Sequence, residues 1–264
     1  MRAARQSTQP PQASLQALAA LGQGLQALRR QPALVLGFSV LSCGTHLLGW
    51  ALVAAGDGSD SAVLALLLRS IGILLYAGSL LWLIEGLTRI GLTLGAARTV
   101  RWRRVSRWPS RSSGDLALGV INTGLALSAA ACAGFIGWSL ALFLLPGLSA
   151  VAALLGLLAI AAAGLSQLFN ACLVLDQRLS PSQAFRQGVR LLLRFGPVLS
   201  RLALLLLALL ALPFGLGLVA EALGSAFSAA ITVLAMVVVL PVLAATVTAA
   251  YRQLPDGAIR AEAR

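Results

Sequence analysis

Glu85 and Arg89 stand four residues apart in LLWLIEGLTRIGL, with the acid on the N-terminal side. On a helix that order makes a favourable side-chain pair. Inside an apolar run it reads as a structural ion pair or, alternatively, as a coupling-ion or proton site. His46, in LSCGTHLLGW, is the only imidazole, the one side chain that titrates near neutrality without help. It reads as a hydrogen-bonded packing residue, with a proton relay as the alternative. Asn122, Gln167 and Asn170 add neutral amides to apolar stretches, where an amide can hydrogen-bond across a helix contact. These six residues are the intramembrane polar set. They offer no machinery for hydrolysis: the chain has no G-x-S-x-G, no H-E-x-x-H and no paired carboxylates for acid–base work. Nor has it a nucleotide-binding GxxxxGK[ST] loop. Cys43, Cys132 and Cys172 are scattered, and with one histidine they build neither a disulfide framework nor a metal site. No enzyme activity, metal or cofactor is expected.

The strongest local signal is basic. RTVRWRRVSRWPSR, residues 98–111, holds six arginines and two tryptophans. In isolation it would resemble a clamp for nucleic acid, cations for phosphate and rings for stacking. On a helical wheel Trp102, Val105 and Trp108 share an arc of about 120°, and Arg103, Arg104 and Arg107 the opposite one. That is an interfacial helix, with Trp102 and Trp108 as anchors and the arginines on anionic headgroups. A juxtamembrane arginine contributes about 1 kcal/mol of attraction to such a surface. No nucleic acid is expected as a partner. A second amphipathic stretch, SPSQAFRQGVRLLLRFG, begins with a capping box of Ser180 and Gln183 around Pro181. Gln183, Arg186, Gln187, Arg190 and Arg194 then form one polar stripe. Arg186, Arg190 and Arg194 are expected to touch anionic lipid, and the chain to turn upward at Gly196–Pro197.

The elements that position these residues follow from the solvent. The 264 residues are 59% hydrophobic and 11% charged, with a mean hydropathy of +0.90. A water-soluble domain carries about 25% charged residues, and this chain has too few polar residues to cover a water-facing exterior. Six stretches are long and apolar enough to span a bilayer: 33–55, 69–91, 116–142, 149–174, 198–219 and 226–250. Residues 1–32 form a cytoplasmic tail and amphipathic segment, 33–250 the six-helix transmembrane domain with basic interfacial segments at 96–112 and 180–196, and 251–264 a cytoplasmic tail. The fold class is all-α, a polytopic helical membrane protein built as three hairpins. Ala129, Ala133 and Gly137 on the third span face Ala159, Ala163, Gln167 and Ala171 on the fourth as small-residue stripes. Pro213 and Pro241 kink the last two spans.

Residues 170–253, from LVLDQRLSPSQAFRQGVRLLLRFGPVL to VVLPVLAATVTAAYRQL, resemble a broad group of uncharacterised bacterial integral membrane proteins. The group is named for the membrane domain of glycerophosphoryl diester phosphodiesterases. The resemblance implies about six spans with an amphipathic helix before the last hairpin, in a bacterial inner membrane. It implies no phosphodiesterase activity, because the catalytic domain sometimes fused to that group needs metal-binding histidines and glutamates, and this chain has one histidine.

All twenty basic residues are arginine, and those in loops cluster before span one and after spans two, four and six. Arginine marks the cytoplasmic side, so both termini are expected in the cytosol. The functional expectation is a non-enzymatic membrane protein that interacts with lipid or serves as an accessory or assembly component. A small-solute or lipid transporter or permease subunit is the alternative. The expected partners are a bilayer with anionic headgroups and another membrane protein. A reporter fused after Arg264 is expected to be active only in the cytosol; a periplasmic signal would overturn the orientation.

Overall fold

A chain in hydrocarbon must satisfy its backbone within each segment, which selects helices. The computed structural model describes residues 16–105 and 111–255, and within them every regular element is helical. In chain order these are α1 (Ala17–Leu28), α2 (Pro32–Asp57), α3 (Ala62–Gly95), α4 (Trp102–Val105), α5 (Arg111–Leu144), α6 (Ser149–Ser166), α7 (Asn170–Gln177), α8 (Pro181–Ala220) and α9 (Ser225–Arg252). Local chemistry sets the ends. Ser180 accepts from the Gln183 N–H while the Gln183 side chain accepts from the Ser180 N–H, the expected capping box. At the end of α3, Ala97 takes a left-handed φ of 56°. Its N–H donates to Leu94 O at 2.9 Å and the Arg98 N–H to Thr93 O at 3.2 Å, a Schellman closure. Arg30 donates to Leu94 O at 3.3 Å and Arg252 to Leu92 O, so two cations meet the negative end of the α3 dipole.

Six of the described helical runs are long and apolar enough to cross a membrane: α2, α3, α5, α6 with α7, α8 and α9. The fold is that of a polytopic helical membrane protein. The helices pair as three antiparallel hairpins, α2–α3, α5–α6 and α8–α9. Helix α9 also packs on α1, α2 and α3, and α8 on α5 and α6, so the last hairpin joins the other two. The buried residues gather at the arginine-rich end, around Phe169, Leu173, Leu199 and Tyr251 and around Phe38, Ile90 and Leu94. Elsewhere large apolar side chains face outward, Phe143 at 85% and Val219 at 79% exposure. Such exposure is tolerable only against lipid.

Several sequence expectations shift. The basic segment 96–112 forms one helical turn, Trp102–Val105, among the described residues; Arg107 and Trp108 lie outside them. Val105 is buried and Trp102 sets its ring edge-on to Phe38, 6.3 Å away. The wheel's apolar arc therefore meets protein as well as lipid. The Val100 N–H donates to Gln31 Oε1 at 2.9 Å, which pulls this loop onto the start of α2. In the second amphipathic segment Gln187 is buried, while Arg186, Arg190 and Arg194 are exposed; the stripe is narrower than its sequence pattern. Helices α8 and α9 run on through Pro213 and Pro241. The breaks fall elsewhere. One is at Phe195 (φ −124°, ψ 17°), just before the expected Gly196–Pro197 corner, where Pro197 withholds an N–H and crowds the preceding turn. The other splits the fourth span between Ser166 and Asn170.

Gly188 explains the second break: a Cβ there would overlap the Ser166 carbonyl oxygen. Only glycine lets α8 press so closely on that carbonyl. The α5–α6 contact also differs in register. Ala133, Gly137 and Ala159 are exposed, and the backbones meet at Gly134 and Gly156, where a Cβ on either would lie within 2.9 Å of the other's Cα.

Helix lengths set a depth scale. At 1.5 Å per residue from the short-loop ends, Gln167 lies about 27 Å along its helix, Arg201 about 29 Å, Asn170 about 31 Å, Asn122 about 33 Å and Glu85 about 35 Å. A hydrocarbon core of about 30 Å sets all five at one boundary, with Arg89 beyond it. His46, at about 17 Å, is the exception. A straight α8 would carry Ser182 about 57 Å from Ala220, yet Ser182 shares a groove with Asn122. The bend at Phe195 therefore lays the first turns of α8 across the bundle end. Gly188→Ala is expected to lower the thermal stability of the detergent-solubilised protein by about 1–3 kcal/mol through overpacking. Gly137→Ala, whose Cβ meets nothing within 4 Å, is expected to leave stability unchanged or raise it by up to about 1 kcal/mol.

Candidate functional site

Polar side chains gather at the arginine-rich end in a layered arrangement. The innermost group joins α3 to α5. Glu85 is 2% exposed, a burial no carboxylate tolerates without partners. Its Oε1 lies 2.6 Å from Arg89 Nη2, and its Oε2 accepts from Ser113 Oγ at 2.6 Å. Arg89 also donates to Ser112 Oγ at 2.8 Å. The sequence pointed to the ion pair, and the structure makes it; the serines at the start of α5 were not legible as its second half.

Beside this group a cavity of about 670 Å³ separates the ends of α3, α5, α7 and α9. Arg89, Arg98, Arg178 and Arg252 line it, opposed by Asp115 and Asp176, with Thr93 and Ser112 between. Asp176, on α7, reaches beyond its own helix. Its Oδ2 accepts from the Tyr251 hydroxyl at 3.1 Å and from Gln177 Nε2 at 3.0 Å, tying α7 to α9. Arg178 ends α7 in a left-handed conformation. With Arg89 paired to Glu85, the guanidiniums of Arg98, Arg178 and Arg252 still outnumber the carboxylates of Asp115 and Asp176, so the wall stays positive and can attract an anion.

The outer group is the basic face. Arg186, Arg190 and Arg194 are exposed along the first half of α8, and Arg103 within α4. The Arg194 guanidinium stands 5.4 Å over the Phe195 ring, a cation–π contact at the bend. Arg104 lies in the α4 turn. Trp102, 40% exposed, keeps one edge available as an anchor while Phe38 holds the other. Arg201, inside the span expected from 198, is exposed on α8, and its depth explains how a cation stands there: its stem can reach the headgroups.

The four remaining polar residues separate. Asn170 Nδ2 donates to Gly119 O at 3.1 Å and to Thr123 Oγ1 at 3.3 Å, the amide bridge expected across the α5 contact. Gln167 instead bonds its neighbour Ser166 at 2.9 Å. Gln167 Oε1 and Asn170 Oδ1 are buried without a hydrogen-bond partner. His46 stacks on Tyr76 with centroids 3.9 Å apart and shares a hydrogen bond with Ser79 Oγ at 3.1 Å, between α2 and α3. Asn122 lines a groove against α8. His46, Asn122 and Gln167 therefore share no single cavity among those described.

No family model, curated protein or solved structure matches this chain. The site is accordingly argued from its own geometry. Breaking a buried pair costs about 3–5 kcal/mol, but the Arg89 side chain is 27% exposed, so screening lowers the figure. Glu85→Leu is expected to destabilise the solubilised protein by about 2 kcal/mol. Glu85→Gln, which can still accept from Ser113, should cost less. Equal losses for the two variants would show that the Ser113 hydrogen bond contributes nothing beyond the charge pair.

Proposed function

We propose that this protein is a non-catalytic, lipid-interacting component of a bacterial inner membrane, with its arginine-rich end toward the cytoplasm. It organises anionic lipid around itself or around a membrane complex to which it is accessory. One observation carries the reading: exposed Arg186, Arg190 and Arg194 share a helix half that the bend at Phe195 lays across the bundle end. An arginine stripe at that level faces headgroup phosphates, and guanidinium suits phosphate geometry.

The transport alternative needs a polar path through the bilayer. His46 at mid-depth is isolated from Gln167 and Asn122, which favours the organising role over a conduit. Native mass spectrometry of protein extracted gently from its own membrane is expected to show retained anionic lipid, lost on replacing Arg186, Arg190 and Arg194 with glutamine. Co-extraction of a partner in fixed stoichiometry would add the accessory role. Protein that carries neither lipid nor partner would overturn the reading.

A further inference from the structure

The first turns of α8 and the lower part of α5 enclose an open groove of about 480 Å³, lined by Asn122, Leu125, Ala126, Ser182, Phe185 and Arg186. Its polar and apolar walls are sorted by depth. Asn122 stands about 33 Å from the short-loop end of α5, at the headgroup boundary, and Leu125 and Ala126 lie one turn nearer the hydrocarbon. Above them the exposed side chains of α5 are largely apolar, Leu125 at 63% and Phe135 at 65% exposure, with Ser128 exposed among them. A molecule seated here meets polar groups first and a hydrocarbon track beyond them. That is the polarity of a phospholipid.

The polar wall is selective. Arg186 is its one charged residue, and no carboxylate lines the groove. A phosphodiester anion therefore finds a cation, while a headgroup ammonium finds no counter-charge. Among the described residues neither the Asn122 amide nor the Arg186 guanidinium has a protein hydrogen-bond partner. Asn122 offers two donors and an acceptor, and Ser182 a hydroxyl, a set that matches a hydroxylated headgroup. At the headgroup boundary the Asn122 amide is open to a headgroup, which has no protein partner to displace there.

We infer that the α5–α8 groove is a discrete site for one anionic glycerophospholipid with a hydroxyl-bearing headgroup, of the phosphatidylglycerol class. Its phosphate sits on Arg186, its headgroup hydroxyls on Asn122 and Ser182, and an acyl chain runs past Leu125 and Ala126. The inference rests on the lipid-interacting reading above and sharpens it from a charged surface to a single stoichiometric site.

The test uses the full chain in nanodiscs of equal phosphatidylglycerol and phosphatidylethanolamine, read by native mass spectrometry. One phosphatidylglycerol per chain is expected to survive activation that strips the other lipids. Arg186→Gln or Asn122→Leu should each lower that retained fraction about tenfold, the worth of one charge-assisted or buried hydrogen bond. Arg103→Gln, which removes the same charge away from the groove, should leave it unchanged. Elution profile and melting temperature confirm that each variant is folded; if Asn122→Leu does not fold, Asn122→Ala and Ser182→Ala take its place. Soluble glycerol phosphate in excess should not displace the lipid, since it brings no acyl chain, and displacement by it would refute a lipid site. Loss spread equally over Arg103→Gln and Arg186→Gln, with Asn122→Leu unaffected, would refute the groove while leaving a diffuse anionic surface intact. No preference for the anionic lipid in any form would refute both.

Discussion

Lipid withdraws the force that usually assembles helices. Apolar side chains gain nothing by leaving hydrocarbon for one another, so association must come from close packing and polar contacts. This constraint explains the layout. Where the spans lie in hydrocarbon the largest side chains turn outward, and hairpin partners meet where a side chain is missing, Gly49 against Tyr76 and Gly134 against Gly156. Near the arginine-rich end more residues are buried and polar groups find partners. Gly188 against Ser166 is the close approach there. The Glu85, Arg89, Ser112 and Ser113 group and the Asn170 bridge supply the polar contacts at that end.

The polar layer in turn explains the two departures from straight spanning helices. The α6–α7 break lets the Ser166 carbonyl accept the approach of Gly188. It also turns Asn170 toward α5, where its amide reaches Gly119 O and Thr123 Oγ1. The bend at Phe195 swings the arginines of α8 sideways. Without it they would project far beyond the bilayer; with it they lie along its boundary. Both adjustments stand at about the level where the hydrocarbon ends. There backbone groups released from a helix can meet water or side chains at little cost.

Much of this was legible in the sequence because it follows from one-dimensional chemistry. Apolar length gives six spans and short polar turns give hairpins. Ser180, Pro181 and Gln183 announce a helix start, and Glu85 with Arg89 a helix pair. What was not legible depends on which face of one helix meets which face of another. The small-residue stripe on α5 lies on the side away from α6, since a sequence rich in Ala and Gly offers more than one such stripe. Asn122 and Asn170 look alike in sequence, yet one bridges helices and the other lines a groove. The basic segment 96–112 reads as a helix by pattern. The Schellman turn at Ala97 and the Gln31 side chain compete with that helix over residues 97–101, so among the described residues it begins only at Trp102.

One contact has a consequence for how the molecule is made. Helix α1 rests on α9, with Gly24 against the backbone of Ala245 and Thr246 and Gln253 accepting from the Gln16 N–H. Helix α1 thus has its main seat on a helix far along the chain, with 237 positions between Gln16 and Gln253. Until α9 is inserted, the Ala20–Gly24–Ala27 face lacks its main cover and α1 has only α3 and α8 to rest on. Closure of the bundle therefore waits for α9, and a chain cut short before α9 keeps that face uncovered.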